Sequence, residues 1–322
     1  MEVKVAVVKE VGGKFEIETA HLDDPKHGEV LVKIVAVGVC HTDEHARNGV
    51  YKALPFPAVL GHEGAGIIEK VGEGVSDFKE GDHVVLSYPY CGRCDSCLQG
   101  RPFQCEHLGQ LYFGGRMEDG TSRFSQDGKP LSALFNQGAF ATHCVVNARS
   151  LVKVDPDLDL RFMGPLGCGF QTGAGSVLNV LKPEPASSIV IFGAGSVGQA
   201  AVMAAKLVNC YPIVAVDMMD ARLDKALELG ATHVVNSGKV DDLFETLRGI
   251  LGSKGADYVF DNTAVDTCIK TGLLLMHRGS RGANVGGGKT VTLDPWTKYM
   301  TGGKTWSAVT EGNSVAPVFI PR

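Results

Sequence analysis

Four cysteines packed into one short stretch carry the plainest chemistry in the chain. Cys91, Cys94, Cys97 and Cys105 follow C-x2-C-x2-C-x7-C. Gaps of two residues do not let these side chains pair easily with one another, but they wrap readily around one tetrahedral ion. Four thiolates close the coordination sphere of Zn2+, so the expectation is a structural zinc in a lobe at about residues 88–108. An iron–sulfur cluster or an oxidised pair would use the same residues; a closed site within one short lobe favours zinc.

A second chemistry lies further on. Ile189–Phe192 runs directly into Gly193-Ala194-Gly195-Ser196-Val197-Gly198, which opens a helix-like stretch. Between a strand and a helix, G-x-G-x-x-G is the dinucleotide fingerprint. The first glycine permits the turn, the second lets the backbone approach a diphosphate, and the third lets helix and strand pack closely. Val197 and its neighbours then present the helix N-terminus to the anion. Asp217 ends the next strand, 19 residues beyond Gly198. An acid there accepts from ribose hydroxyls and repels a 2′-phosphate, which favours NAD over NADP. Arg222, close behind, is the residue that would instead receive such a phosphate.

A third set is dispersed: Cys40-His41-Thr42-Asp43-Glu44-His45, Gly61-His62-Glu63-Gly64, and Cys168 within Gly167-Cys168-Gly169-Phe170-Gln171-Thr172. Spacing alone does not join them. Cysteine is often a small buried hydrophobe, and a lone histidine is more often structural than a ligand.

The elements that must position these residues have two textures. Up to about residue 150, short β-like runs alternate with glycine turns: Glu29–Val37, Ala65–Val71, Asp82–Leu86 and Ala139–Val146. The opening MEVKVAVVKE also reads as a strand, and the polar stretch Gly114–Pro130 as surface loop. Beyond residue 150, apolar runs (Ser188–Phe192, Ile213–Asp217, His233–Asn236, Asp257–Asp261) alternate with helix-like segments (Val197–Asn209, Ala221–Leu229, Val240–Leu251). That alternation indicates βαβ units and a parallel sheet. The fold class is therefore α/β, a doubly wound parallel sheet plus a mostly β domain, with the boundary between residues 150 and 175.

Composition narrows the function. With 31 basic and 36 acidic side chains and a formal charge of −5, no electrostatic footprint for nucleic acid is present. No apolar run is long enough to span a membrane, and no secretory segment opens the chain, so the expected compartment is the cytoplasm. Nine cysteines there point to metal or catalysis rather than disulfides.

CHTDEH, GHEGAG, the four-cysteine lobe, GCGFQTG and GAGSVG, in this order, resemble the zinc-dependent medium-chain alcohol dehydrogenases; PLGCGFQTGAGSVLNVLKP and IFGAGSVG look most like the aryl (benzyl) alcohol dehydrogenases. The resemblance implies a GroES-like catalytic domain over residues 1–169 and a Rossmann NAD-binding domain over 170–322, with the active site in the cleft between them. It implies two zinc ions per chain, the catalytic one held by Cys40, His62 and Cys168 with a position left open. Asp43 is similar to the family carboxylate that orients the zinc-bound histidine, and Glu63 to an acid near the metal with no firm role. Thr42 and His45 are implied as a proton relay, His41 as a group near the pyrophosphate, and Thr172 as packing on the nicotinamide. Phe135 reads equally as pocket wall or core. Cys144, Cys210 and Cys268 receive no role. The implied reaction moves hydride between a primary, aromatic alcohol/aldehyde pair and NAD, in a homo-oligomer (dimer or tetramer). The family pattern continues past Val318-Phe319-Ile320-Pro321-Arg322, so its C-terminal part is missing here. Glutathione-dependent formaldehyde or polyol dehydrogenases of the same family, and a non-catalytic NAD- and zinc-binding protein, remain alternatives.

Overall fold

In β1 (Glu2–Val8) Val3, Val5 and Val7 are buried while Glu2 and Lys4 are exposed, the period of two that a half-buried strand requires. A computed structural model describes residues 1–286, 290–294 and 299–321. The chain divides into two compact units, Met1–Cys168 joined by the segment from Val315 onward, and Gly169–Ser314.

The first unit is built on β1, β2 (Phe15–Leu22), β3 (Glu29–Gly38), β4 (Ala58–Val59), β5 (Glu63–Val71), β6 (His83–Leu86), β7 (Phe124–Gln126), β8 (Lys129–Pro130), β9 (Ser132–Ala133), β10 (His143–Asn147) and β11 (Leu151–Lys153). They form one sheet in the order β8-β7-β2-β1-β4-β9 and another in the order β10-β3-β5-β6-β11. Val3, Val5 and Leu22 from the first sheet and Val30, Val32, Ile68, Val84 and Val146 from the second share one apolar core. Helices α1 (His41–Arg47), α2 (Asp95–Leu98) and α3 (Leu108–Phe113) lie in the connections. The late segment returns to this unit, where a short helix over Ala316–Phe319 packs against β11.

The second unit carries β12 (Ile189–Phe192), β13 (Ile213–Asp217), β14 (His233–Asn236), β15 (Ala256–Asp261), β16 (Met276–Asn284) and β17 (Thr305–Ala308), all parallel, in the order β14-β13-β12-β15-β16-β17. This is the doubly wound order whose reversal beside the first strand makes the nucleotide crevice. β12 and β13 read as nearly unbroken apolar runs because both faces of the sheet are covered there. Ile189 and Ile191 enter one core, Val190 and Phe192 the other. The covering helices are α4 (Gly169–Gly175), α5 (Ser196–Leu207), α6 (Asp220–Leu229), α7 (Leu243–Leu251) and α8 (Asp266–Leu275). No helix among the described residues is long and apolar enough to cross a membrane.

Three local expectations differ from the structure. Gly114–Pro130 is not simply surface loop: it contains the β7–β8 hairpin and a buried Arg123, whose guanidinium binds both oxygens of the buried Glu29 at 2.8 and 2.5 Å. The partner lies far away in sequence, so composition could not reveal it. Regular pairing of Ala139–Val146 begins only at His143, with Ala141 in an isolated bridge to Val5. The helix expected from Val240 starts at Leu243 because the Asp242 carboxylate caps it, accepting from the Glu245 N–H at 3.0 Å.

Candidate active site

Antiparallel register assembles the dispersed set. β3 pairs with β5 so that Gly38 lies opposite Glu63. The residues just past the end of β3 and just before the start of β5, Cys40 and His62, are therefore brought together. Cys168 arrives on a turn over Gly164–Gly167 whose two end residues must be glycine: a Cβ on Gly164 would stand 2.2 Å from the Glu63 carbonyl oxygen, and one on Gly167 1.7 Å from that of Leu86. Ser87 Oγ donates to the Gly167 carbonyl at 2.9 Å and fixes this approach. The result is a cluster in which ligand atoms of Cys40, His62, Glu63 and Cys168 all lie within 4.8 Å of one another.

Asp43 organises the cluster. It is the third residue of α1 and only 1% exposed. One carboxylate oxygen accepts from the Cys40 N–H at 3.0 Å; the other accepts from the Gly61 N–H at 3.0 Å and stands 3.1 Å from His62 Nδ1. This holds the imidazole in one tautomer and leaves Nε2 free, the arrangement that supports a metal-binding histidine. His62 Nε2 is buried and has no hydrogen-bond partner among the described residues. A buried polar atom without a partner is costly, and a cation removes the cost. The donor set, two sulfurs and an imidazole, fits zinc.

Charge agrees with that fit. Hydrogen bonding from Cys168, aided by His62, holds the Cys40 thiol down to about 3 against its burial. Burial presses His62 toward the neutral form, yet Asp43 and Cys40 outweigh it and raise its affinity for a proton well above the ordinary. A metal ion at Nε2 competes with that proton.

Glu63 is the group that sequence reasoning left without a role. Its carboxylate lies within 4.8 Å of the Cys40, His62 and Cys168 ligand atoms, and it packs on Gly38, where a Cβ would stand 2.1 Å from Glu63 Oε2 and displace the carboxylate. The only signal in the sequence was its place beside His62. Phe135, ambiguous between pocket and core, is buried and stacks on His62, ring centroids 4.5 Å apart and planes at 23°.

The four-cysteine lobe also converges, all sulfurs within 4.8 Å. Cys91 and Cys97 Sγ are 4.0 Å apart, too far for a disulfide. Four sulfurs bound tetrahedrally to one zinc stand about 3.8 Å from each other. Backbone N–H groups of Cys94 and His107 donate to the Cys91 and Cys105 sulfurs at 3.3 and 3.4 Å, as thiolates require. Backbone hydrogen bonds at Glu106 and Cys97 hold the Cys94 thiol down to about 6, while burial pushes Cys97 up to about 12. Four thiolates this close repel one another unless a cation sits among them.

In the second unit the glycine turn has the shape of a diphosphate cradle. Gly193 has φ +90°, and a Cβ on Gly198 would stand 1.8 Å from the Gly193 carbonyl oxygen. A Cβ on Gly195, which caps α5, would meet nothing and point into open space. Val197 lies in the first turn of α5. Asp217 Oδ2 accepts from the Ala194 N–H at 2.8 Å, and Oδ1 from the N–H groups of Met218 and Met219. Arg222 Nη1 is 3.6 Å from Asp217. The acid thus braces the turn from the end of β13. Thr172, in α4, donates to Glu311 Oε2 at 3.4 Å. On α1, His41 is exposed, Thr42 and His45 are half-buried, and the two imidazoles meet edge to face at 4.7 Å.

Comparison with known proteins agrees with this chemistry. Residues 26–156 match the alcohol dehydrogenase GroES-like domain, and residues 196–319 match the zinc-binding dehydrogenase domain. The chain is 38% identical over 326 residues to a geraniol dehydrogenase of Castellaniella defragrans, covering 100% of this chain and 87% of that one. Among solved structures, an alcohol dehydrogenase zinc-binding domain protein of Burkholderia ambifaria superposes with a TM-score of 0.94 at 41% identity. A benzyl alcohol dehydrogenase of Acinetobacter calcoaceticus does so at 0.92 and 39%. Both alignments cover 100% of this chain and 87% of the other. Ligand clusters, glycine cradle and relatives agree, and the chain belongs to the zinc-dependent medium-chain alcohol dehydrogenase family.

Proposed function

We propose that the protein oxidises primary alcohols bearing an aromatic ring, reversibly, to the aldehyde, with NAD as acceptor. The observation that carries this reading is the aromatic wall beside the metal ligands. Tyr51 and Phe113, both half-buried, stack at 3.8 Å, and Phe113 meets edge-on the buried Phe135 that covers His62. Each aromatic pair formed with a substrate ring contributes about 0.5–1.5 kcal/mol beyond area burial, which a short aliphatic alcohol does not gain. Similarity to a benzyl alcohol dehydrogenase supports the same class. In initial-rate assays with benzyl alcohol, geraniol, ethanol, a polyol and hydroxymethylglutathione, kcat/KM for benzyl alcohol is expected to exceed that for ethanol by about tenfold or more. Equal values overturn the reading.

Cys40, His62 and Cys168 hold the catalytic zinc, and Cys91, Cys94, Cys97 and Cys105 the structural one. A bound zinc supplies Lewis acidity at the alcohol oxygen and bound NAD supplies the two-electron acceptor. The protein's own task is to take the proton away. Thr42 and His45 are three residues apart on α1 and so share a face; the Thr42 hydroxyl takes up one proton as it releases its own toward His45, which passes it to solvent. Burial, then the neighbouring His41, lower the His45 pKa below the ordinary 6.5. Its neutral, proton-accepting form therefore prevails to lower pH than for a free imidazole. The relay-dependent part of kcat/KM should rise with pH through that lowered pKa and level off by neutrality. His45→Gln should remove this limb from the pH–rate profile and slow turnover about tenfold or more; an unchanged profile excludes the relay.

Gly193, Gly195, Val197, Gly198, Asp217 and Thr172 form the NAD site in this reading. Asp217→Ser should weaken NAD by roughly 10–100-fold, the worth of a hydrogen bond to a charged group. It should also open the site to NADP, because Arg222 already stands beside the vacated carboxylate. The ratio of kcat/KM for the two coenzymes reads both effects.

A further inference from the structure

From β15 a side chain reaches across to the glycine turn at the end of β12. The two strands are adjacent, on the side of β12 away from β13, at the point where the strand order reverses. Asp261, the last residue of β15, is fully buried, and its carboxylate folds the chain into a tight turn. It accepts from the Thr263 hydroxyl at 2.8 Å and from the Ala264 N–H at 2.9 Å. That turn aims Asn262 at the neighbouring strand. Asn262 Nδ2 donates to the Phe192 carbonyl at 2.7 Å and to the Gly193 carbonyl at 2.8 Å, and its own N–H donates to the Phe192 carbonyl at 3.0 Å. Because both nearby atoms are acceptors, the amide has only one satisfied orientation.

We infer that Asn262 is a positioning residue for dinucleotide binding: it clamps the carbonyls of Phe192 and Gly193 and so fixes the turn whose N–H groups take the diphosphate. Gly193 is the residue held at φ +90°, and its carbonyl is the atom against which Gly198 packs. A Cβ on Gly193 would stand 2.7 Å from Asn262 Oδ1, and one on Gly198 3.2 Å from Nδ2. The clamp thus touches the first and third glycines of the fingerprint together. With both carbonyls engaged from the β15 side, the turn is set before a ligand arrives, and binding does not have to order it.

The inference rests on NAD being the coenzyme, and the experiment separates the two. Full-length zinc-loaded wild type, Asn262→Ala and Asn262→Asp are titrated with NAD and with ADP-ribose by calorimetry, alongside thermal melts. Asn262→Asp keeps the shape but faces two carbonyl oxygens with a carboxylate, so it remains informative if Asn262→Ala does not fold. Asn262→Ala is expected to raise the Kd of NAD and of ADP-ribose in parallel by about tenfold, Asn262→Asp by more. In turnover, KM for NAD should rise more than kcat falls. Variants that melt lower yet bind both ligands within twofold of wild type overturn the clamp, as does a loss confined to NAD. Wild type that binds no NAD overturns the coenzyme assignment itself.

Discussion

Cys168→Ala is expected to abolish alcohol-dependent NADH formation, lowering kcat/KM by roughly three orders of magnitude or more, while NAD binding stays intact. The size follows from the loss of Lewis acidity, which stabilises developing charge by several kcal/mol at about 1.4 kcal/mol per tenfold in rate. The selectivity follows from the architecture: Cys40, His62 and Cys168 belong to the unit Met1–Cys168, whereas the glycine turn and Asp217 belong to Gly169–Ser314. Metal analysis should show one zinc retained, that of the four-cysteine lobe. A milder companion, Asp43→Asn, keeps the shape but weakens the grip on His62 Nδ1. Such supporting contacts typically change metal affinity or activity by about 10–100-fold. Full activity in Cys168→Ala would sink the assigned ligand set.

The second large effect is on stability. Cys105→Ala should strip zinc from the lobe and lower the melting temperature sharply, with loss of protein to aggregation. The lobe holds little else: α2 and α3 are short, and Cys91, Cys94 and Cys105 themselves fill core positions beside Tyr88 and Leu111. A structural zinc contributes about 10–16 kcal/mol of apparent binding energy in small zinc peptides, comparable with the whole stability of a domain at about 5–15 kcal/mol. Even a fraction of that is a large share of a domain's stability. A melt with and without a strong chelator is the parallel measurement, and the variant should be insensitive to chelation. A Cys105→Ala protein that melts like wild type would show the lobe folds without its metal.

Much of this is legible in the amino-acid sequence alone. The four cysteines and the glycine turn are contiguous, so chain connectivity alone limits what they can do. A strand, a three-glycine turn and a helix in succession cannot avoid presenting N–H groups to an anion. The continuous apolar runs that marked β12 and β13 reflect burial on both faces, which leaves its record in successive residues. Sequence marks Asp217 as the expected ribose acid; that it accepts from the Ala194 N–H and braces the turn comes only from the fold.

Spacing could not join Cys40, His62 and Cys168, and the resemblance to a known family did so without giving a cause. The cause is register: burial of Val30, Val32 and Ile68 aligns β3 against β5, and that alignment carries Cys40 to His62. Close backbone approach at Gly164 and Gly167 then admits Cys168. Glu63 beside the cysteine–histidine cluster, Phe135 flat on His62, the buried Arg123–Glu29 pair and the Asn262 clamp have the same origin. Sequence by itself determined the local sites, because neighbouring residues cannot separate. Tertiary structure alone decided the long-range ones, because pairings between distant segments are set by which apolar faces are buried together, and no spacing in the chain encodes that choice.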